Sequence, residues 1–330
     1  MDLSTFWFLA IAFLFVGYFV LEGFDFGVGV LMRTFARDDA ERRQLLGTIG
    51  PVWDGNEVWL ITGAGAMFAA FPHWYASVFS GFYLPMLFIL LALIVRGVAF
   101  EFRGKREDAA WRARWDWAIL CGSLLPALLW GLIFANIVRG VPLAADHDYT
   151  GGLVDLLNPF ALLGAATFGA VFVWHGAVFV ALKTTGEVRD RSNRLASRFG
   201  PVAVALLLGF LAWLVVDLSR DAVTIGLGGA AALAAVAALA TNRVRREGWA
   251  FAGTAAAIGL TVVALFAALH PAVLPSTGDP AGTLTIANAA ASPYSLKVMT
   301  WVAVLFLPLV LLYQGWTYWV FRKRLAPVTR

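Results

Sequence analysis

Residues 6–32 read FWFLAIAFLFVGYFVLEGFDFGVGVLM and set the fold class of the chain. The run is long and mostly apolar, and a membrane-spanning helix needs about 20 such residues. No basic segment precedes it and it has no small-residue cleavage site, so it is not typical of a removed signal peptide. It indicates a first membrane span that already contains two acidic residues, Glu22 and Asp25.

Further long apolar segments follow the first. The chain is 60% hydrophobic and 14% charged, whereas soluble chains carry roughly 25% charged residues. We therefore predict an all-α polytopic membrane protein with nine transmembrane helices. The predicted spans are 6–32, 51–71, 75–101, 116–139, 158–183, 199–218, 223–241, 249–270 and 295–321.

The basic residues predict the orientation of these helices. With the N-terminus outside and the C-terminus inside, all but three of the 25 Lys and Arg residues fall in inner loops or at inner helix ends. The three exceptions are Arg139, Arg220 and Lys297. Basic residues concentrate on the cytoplasmic side of membrane proteins, so the predicted topology is N-out/C-in. The net charge of +4 then orients the chain and does not indicate nucleic-acid binding.

The order of the spans predicts two four-helix bundles and one additional helix. Residues 1–140 would form the first four-helix bundle, and 141–157 an outside connecting loop. Residues 158–270 would form the second four-helix bundle, and 271–330 an outside loop with the ninth helix. We find no clear sequence repeat between the two bundles, so this division depends on the order and length of the segments.

Charged residues inside the predicted spans are concentrated in the first half of the chain. The first span contains Glu22 and Asp25, the second contains Asp54 and Glu57, and the third ends near Arg96. Each acidic pair has i, i+3 spacing, which puts its members on one helical face. At about 1.5 Å per residue, both pairs lie roughly 10–20 Å from the inner basic flank. Two adjacent helices could therefore present four carboxyls to one another, with Arg96 as the counter-ion.

Spacing alone leaves two interpretations of these carboxyls open. A charged side chain inside a membrane is costly, and it persists where it pairs or lines a path. The carboxyls either form a buried ion-pair network or relay protons, since crowded buried carboxyls can exchange protons near neutral pH. We assign counter-ion or structural roles to Trp53, Asn56, Glu101 and Asp116 as well. Glu101 and Asp116 lie close to the inner boundary and are expected to be solvated or interfacial.

The histidines and the cysteine give no positive sign of a redox metal. His175 is the only histidine in the middle of a predicted span, and no second histidine lies at a matching depth. A hydrogen-bonded core histidine is therefore favoured over a haem ligand. The single cysteine, Cys121, is expected to pack between helices. The sequence has no HExxH motif and no cysteine cluster.

Two blocks of the sequence resemble a known family. GFDFGVG (23–29) and WDGNEVWLITGAGAMFAAFP (53–72) are similar to subunit II of cytochrome bd-type quinol oxidases. The resemblance is dense in the first half, and in the second half it lies mainly in the number and placement of spans. It continues through FSGFYLPM (79–86), FEFR (100–103), WDW (115–117), GVP (140–142) and LLNPF (156–160).

The resemblance implies a partner and a reaction. In the family, subunit I carries the quinol site and the haems, two haem b and one haem d, so this chain is expected to bind none itself. The complex oxidises quinol and reduces dioxygen to water in the bacterial plasma (inner) membrane, and it builds a proton gradient without pumping. Some members have a small third single-span subunit, and some hold a structural quinone or lipid in subunit II.

The resemblance also bears on the carboxyls. In relatives, acids that match Glu22 and Asp54 are implicated in a proton path from the cytoplasm into subunit I. Because Asp25 and Glu57 lie beside them in the sequence, we predict that all four belong to this path.

Two other classes of protein remain as alternatives. A proton-coupled secondary transporter would place discontinuous helices and a midplane site between its two halves. Here the charges are confined to one half and to the inner side, which disfavours that class. A purely structural subunit would use the same acids only as internal ion pairs.

Overall fold

The chain is built almost entirely from α-helices. A computed structural model describes residues 2–327, and Arg330, which the topology prediction places inside, lies beyond them. Two short strands, β1 (Ala272–Leu274) and β2 (Leu284–Thr285), pair antiparallel after the tenth helix. The helices are α1 (Leu3–Thr34), α2 (Asp39–Ile49), α3 (Trp53–Ala70), α4 (Pro72–Gly81), α5 (Tyr83–Phe102), α6 (Ala109–Arg139), α7 (Pro159–Lys183), α8 (Gly186–Trp213), α9 (Ala222–Arg243), α10 (Glu247–Leu269), α11 (Ile286–Ala289) and α12 (Pro293–Val320).

Within residues 2–327, eight helices are long and apolar enough to cross a membrane: α1, α5 to α10, and α12. The predicted all-α, multi-pass class is therefore confirmed. The predicted second span corresponds to α3, which is not among the eight. It has 18 residues, or about 27 Å at 1.5 Å per residue, but Asp54, Asn56 and Glu57 make its start polar.

The predicted third span, 75–101, is wrong as a single helix. The chain ends α4 at Gly81 and begins α5 at Tyr83. Pro85 explains the break, because a proline has no amide hydrogen for the carbonyl of residue i−4, here Gly81, and its ring crowds that carbonyl. Residues 72–81 therefore form a separate short helix, and α5 is the helix that can cross the membrane.

The central helix of the fold is α1. It packs against α3 and α6 and also against α7 and α10. The crossing with α7 is close, since a Cβ atom on Gly27 would lie 2.0 Å from the Phe172 carbonyl oxygen and 2.8 Å from Gly176 Cα. Small residues allow helix backbones in membranes to approach in this way. The crossing fixes the position of α1, and hence of its two acids, against the second half of the chain.

The last helix, α12, is attached at the side of the molecule. It packs on α3 and α1 and leaves most of its apolar surface exposed. The tail after it returns to the helix ends, where the Leu325 amide donates to the Lys183 carbonyl at 2.8 Å. The Leu325 carbonyl in turn accepts from the Thr185 amide at 3.1 Å. These hydrogen bonds tie the end of α12 to the junction between α7 and α8.

The expected burial of Cys121 is wrong, because its side chain is exposed. It belongs to the outward-facing stripe of α6 that also contains Trp117, Leu124 and Leu125. The sequence shows Cys121 in an apolar run, but an apolar run does not reveal which of its residues face away from the other helices.

Candidate functional site

One carboxyl from α1 and one from α3 meet an arginine from α5 inside the molecule. Glu22, Asp25 and Arg96 are all completely buried. Arg96 Nη2 donates to Glu22 Oε1, and also to Glu57 Oε1 at 2.7 Å. The guanidinium lies over the ring of Phe26, 4.7 Å from its centroid. One arginine therefore joins carboxyls of α1 and α3 to α5.

Asn56 of α3 completes this carboxylate cluster, which we define as Glu22, Asp25, Asn56, Glu57 and Arg96. The buried Asn56 donates from Nδ2 to Asp25 Oδ2 at 2.7 Å. Its Oδ1 accepts from the Tyr318 hydroxyl of α12, also at 2.7 Å. Sequence reasoning missed Tyr318. The available signal was that Gln314 and Tyr318 are polar side chains four residues apart in a largely apolar helix.

Several atoms of the cluster have no protein partner. Among the described residues, Glu22 Oε2, Asp25 Oδ1, and Arg96 Nε and Nη1 are buried and accept or donate no hydrogen bond within the chain. Buried polar atoms in proteins are almost always paired with protein or with ordered water. Atoms of this kind are the ones that water can bridge, provided that the site offers two or more polar partners.

The structure does not bring Asp54 into the carboxylate cluster. The buried stripe of α3 is made of Asn56, Trp59, Gly63, Met67 and Ala70. Asp54 lies two residues before Asn56, roughly 200° away around the helix at about 100° per residue. It is exposed and lines a groove of about 320 Å³ between α3 and α12. The predicted convergence of four carboxyls is therefore wrong for Asp54, while Glu57, at the edge of the stripe, reaches Arg96.

Trp53 and Glu101 lie at the periphery of the cluster. Trp53 is half-buried, with its ring 5.0 Å from that of Phe100 on α5. It thus fills space between α3 and α5 beside Arg96. Glu101 is exposed near the end of α5, as expected for a residue near the boundary.

Asp116 was expected to be solvated or interfacial, and the expectation of a solvated side chain is wrong. Its side chain is fully buried, and both of its oxygens are paired. Arg42 Nη1 donates to Oδ2 at 2.8 Å and Arg103 Nε donates to Oδ1 at 2.5 Å. The reason is that Arg42 of α2 and Arg103, just after α5, both reach across to the carboxyl. Asp116 therefore joins α2 and the turn after α5 to α6 at the basic end of the molecule.

His175 does not fit the requirements of a haem ligand. Its Nδ1 lies 2.6 Å from Thr254 Oγ1, and its Nε2 lies 3.1 Å from the Val20 carbonyl oxygen. Its ring stacks on Phe251 at 4.7 Å. Both ring nitrogens are thus engaged within the core. In residues 2–327, no group of three or more His, Cys, Asp or Glu side chains is arranged to hold a metal ion.

An apolar groove of about 530 Å³ opens between α3, α4 and α5. Its lining includes the aromatic residues Phe68, Tyr75, Phe79 and Tyr83. Small-molecule sites are mostly apolar and occupy about 300–1,000 Å³. The lining therefore fits an acyl or isoprenoid chain better than a charged ligand.

The fold and the cluster together define a multi-pass, all-α membrane protein with a buried set of carboxyls around one arginine. The family model described as "Cytochrome bd terminal oxidase subunit II" matches residues 3–321. The chain belongs to this family. It is a subunit of a cytochrome bd oxidase complex, an oxidoreductase of the bacterial inner membrane.

Individual relatives agree with this assignment. The chain is 43% identical to "Cytochrome bd ubiquinol oxidase subunit 2" of Bacillus subtilis (strain 168) over 329 residues, which cover 98% of this chain and 97% of that protein. It is 35% identical to "Cytochrome bd-I ubiquinol oxidase subunit 2" of Escherichia coli (strain K12) over 350 residues, covering 95% and 92%. A chain of the bd oxidase from Geobacillus thermodenitrificans has the same fold, with a TM-score of 0.77, 18% identity, and coverage of 98% and 100%.

Proposed function

We propose that this chain is the haem-free subunit II that supports a haem-bearing subunit I in oxidising quinol and reducing dioxygen to water. In this proposal subunit I holds two haem b and one haem d, which carry electrons from quinol to dioxygen. This chain contributes Glu22, Asp25, Asp54 and Glu57 to a cytoplasmic proton-uptake path. The complex generates proton motive force without pumping, because quinol releases its protons outside while dioxygen reduction takes up protons from inside.

The carboxylate cluster is the observation that carries the proton role. It contains three carboxyls and a single guanidinium, so two carboxyls exceed what Arg96 can neutralise. Buried charges are costly unless they are paired, and such carboxyls can hold protons. The unpaired Glu22 Oε2 and Asp25 Oδ1 provide positions at which water could deliver or remove a proton. Asp54 lies outside the cluster and is the exposed carboxyl of the proposed path, in the groove beside α12.

The finer topology belongs to the same proposal. Counting α3 with the eight apolar helices gives nine transmembrane helices, and N-out/C-in orientation puts α2 and its arginines in the cytoplasm. Residues 1–140 and 158–270 would be the two four-helix bundles. The loop 141–157 would lie outside, and 271–330 would contain an outside loop and the ninth helix. A small third single-span subunit could pack on the exposed surface of α12.

The groove between α3, α4 and α5 is the place where a structural quinone or lipid would fit. Its aromatic and aliphatic lining matches a hydrocarbon chain. We assign no redox step to this groove.

The decisive experiment replaces Glu22 by Gln in the intact complex, with Asp25→Asn and Asp54→Asn as companion variants. We expect quinol-dependent oxygen consumption to fall by about tenfold or more, since positioned proton carriers contribute on the order of a hundredfold or more. Haem content, read from the reduced-minus-oxidised spectrum, should not change. Glu107→Gln is the matched control, because Glu107 is exposed in the loop between α5 and α6.

Three other results would each contradict a different part of the proposed function. Unchanged turnover in a fully assembled Glu22→Gln complex would refute the proton path. Loss of the haem spectrum would mean that the acids serve only as structural ion pairs. If the tagged wild-type chain purified from native membranes alone and without colour, the oxidase role would fail and a transporter would become the better hypothesis.

A further inference from the structure

The last helix, α12, is hydrogen-bonded to the start of α3 through polar side chains. Gln314 Nε2 donates to the Gly55 carbonyl at 3.1 Å, and Gln314 Oε1 accepts from Trp59 Nε1 at 2.7 Å. One turn later, the Tyr318 hydroxyl donates to Asn56 Oδ1 at 2.7 Å. Gln314 thus binds the backbone and a tryptophan of α3. Tyr318 alone reaches an amide that touches a buried carboxyl.

The orientation of the Asn56 amide depends on both of its neighbours. Its NH₂ group donates to Asp25 Oδ2 and its carbonyl accepts from Tyr318. An ionised carboxylate can only accept hydrogen bonds, whereas a protonated one can also donate. The observed orientation therefore matches an Asp25 whose Oδ2 carries no proton. If Oδ2 were protonated, the amide would have to turn by half a rotation to offer its carbonyl instead.

We propose that Tyr318 is a positioning residue whose hydroxyl lets the Asn56 amide follow the protonation state of Asp25. A phenol hydroxyl can donate or accept. It can therefore pair with the amide carbonyl in one orientation and with the amide NH₂ in the other. No covalent bond of Tyr318 or Asn56 breaks during this change, and only their hydrogen bonds are exchanged. The proton itself reaches an Asp25 oxygen from a neighbouring carboxyl or water, and the amide and the hydroxyl only rotate.

This inference rests on the proposed proton role of the carboxylate cluster, and it adds the last helix to that site. It gives α12 a function although most of its surface is exposed. The titratable and charged groups that face Asp25 from the surrounding helices are Glu22 on α1, Glu57 on α3, Arg96 on α5 and Tyr318 on α12.

The test is Tyr318→Phe in the whole oxidase complex. We expect turnover to fall about two- to tenfold, the range that corresponds to loss of one hydrogen bond, and the pH dependence of turnover to shift. Gln314→Leu is the matched control, because it removes hydrogen bonds between the same two helices and leaves Asn56 untouched. It should keep both the turnover and the pH profile. Haem content is measured for every variant.

A double-mutant cycle separates positioning from simple packing. If Tyr318 acts through the amide, Tyr318→Phe should cause no further loss in an Asn56→Ala background, because coupled residues are non-additive. An equal loss in both backgrounds would overturn the inference. If Tyr318→Phe fails to assemble, 3-fluorotyrosine at position 318 keeps the hydroxyl and alters its acidity. An unchanged pH profile in that variant would also overturn the inference.

Comparing the turnover of Tyr318→Phe with that of Glu22→Gln distinguishes failure of the proton path from failure of the positioning role of Tyr318. A loss of turnover in Glu22→Gln with none in Tyr318→Phe would leave the proton path standing and refute the role of Tyr318. No loss in either variant would refute both.

Discussion

At the scale of single residues, buried carboxyls in this chain fall into two kinds. Both oxygens of Asp116 accept hydrogen bonds from arginines. Within residues 2–327, Glu22 and Asp25 each have only one oxygen paired. A carboxylate whose two oxygens both accept hydrogen bonds from arginines is held in its ionised form. A carboxylate with one unpaired oxygen can accept a proton at that oxygen. This difference separates a structural ion pair from a candidate proton carrier, although all three residues are completely buried.

Asp116→Asn should therefore destabilise the protein without acting on proton delivery. The substitution would leave Arg42 and Arg103 without their buried counter-charge, and breaking a buried pair in this way costs about 3–5 kcal/mol. We expect a lower melting temperature and less assembled complex, with near-normal turnover per haem in what assembles. Asp190→Asn is the control, since the Asp190–Arg245 pair is exposed and such pairs contribute about 0–1 kcal/mol. Equal losses in the two variants would contradict the structural role of Asp116.

The sequence predicted all five members of the carboxylate cluster, but for a geometric reason it wrongly added Asp54 and missed the adjoining Tyr318. Glu22, Asp25 and Arg96 could be identified because charges are conspicuous inside apolar runs. Asp54 was placed wrongly, since i, i+3 spacing shows which residues share a face but not which face is buried. The buried stripe of α3 is built around Asn56, a polar residue that does not stand out beside two acids. Tyr318 could not be placed, because its contact depends on how α12 packs.

At the scale of elements, the basic end of the molecule is organised by α2. The sequence suggested only a connecting segment between the first two spans, yet residues 39–49 form a helix. Its first residue, Asp39, accepts from Arg103 at 2.6 Å, Arg43 at 2.8 Å and Arg112 at 3.0 Å. Hydropathy does not reveal such a helix, because it buries only two large apolar residues, Leu45 and Ile49, and its other contacts are ion pairs such as those with Arg103 and Arg112.

These ion pairs predict a dependence of stability on pH. Partial burial opposes ionisation of Asp39, but the hydrogen bond and charge of Arg103, with the charges of Arg112 and Arg43, hold the pKa of Asp39 below its usual range. A depressed folded-state pKa stabilises the protein above the unfolded pKa, and this contribution is lost as pH falls through the folded value. We therefore expect the melting temperature to drop below about pH 4, near the ordinary pKa of aspartate.

Asp39→Asn tests this dependence. The variant should melt at a lower temperature than the wild type at pH 7, and its melting temperature should fall less steeply below about pH 4. Glu107→Gln, which alters an exposed carboxyl in the loop between α5 and α6, should follow the wild-type curve. Parallel curves for Asp39→Asn and the wild type would show that Asp39 does not contribute to the acid limb.

At the scale of the whole molecule, α1 connects the charged site to the second half of the chain. Its acids contact α3 and α5, while its Gly23 and Gly27 face α7. A Cβ atom on Gly23 would lie 2.7 Å from the ring of Phe172, and one on Gly176 would lie 2.5 Å from the Gly27 carbonyl carbon. These glycines therefore set how closely α1 packs against α7. The resulting position of α1 determines where Glu22 meets Arg96 and where Asp25 meets Asn56.

Gly27→Ala should consequently disturb the site as well as the packing. The added methyl group would meet the backbone of α7, which cannot move as a flexible side chain does, so α1 and α7 must separate. Overpacking of this kind typically costs about 1–3 kcal/mol. We expect a lower melting temperature and reduced turnover per haem in the complex that still assembles, because the shift of α1 weakens the contacts of Glu22 and Asp25. Gly209→Ala on α8 is the control, since nothing lies within 4 Å of its added methyl group. If Gly27→Ala lowered stability but left turnover per haem unchanged, the carboxylate cluster would not depend on the crossing of α1 with α7.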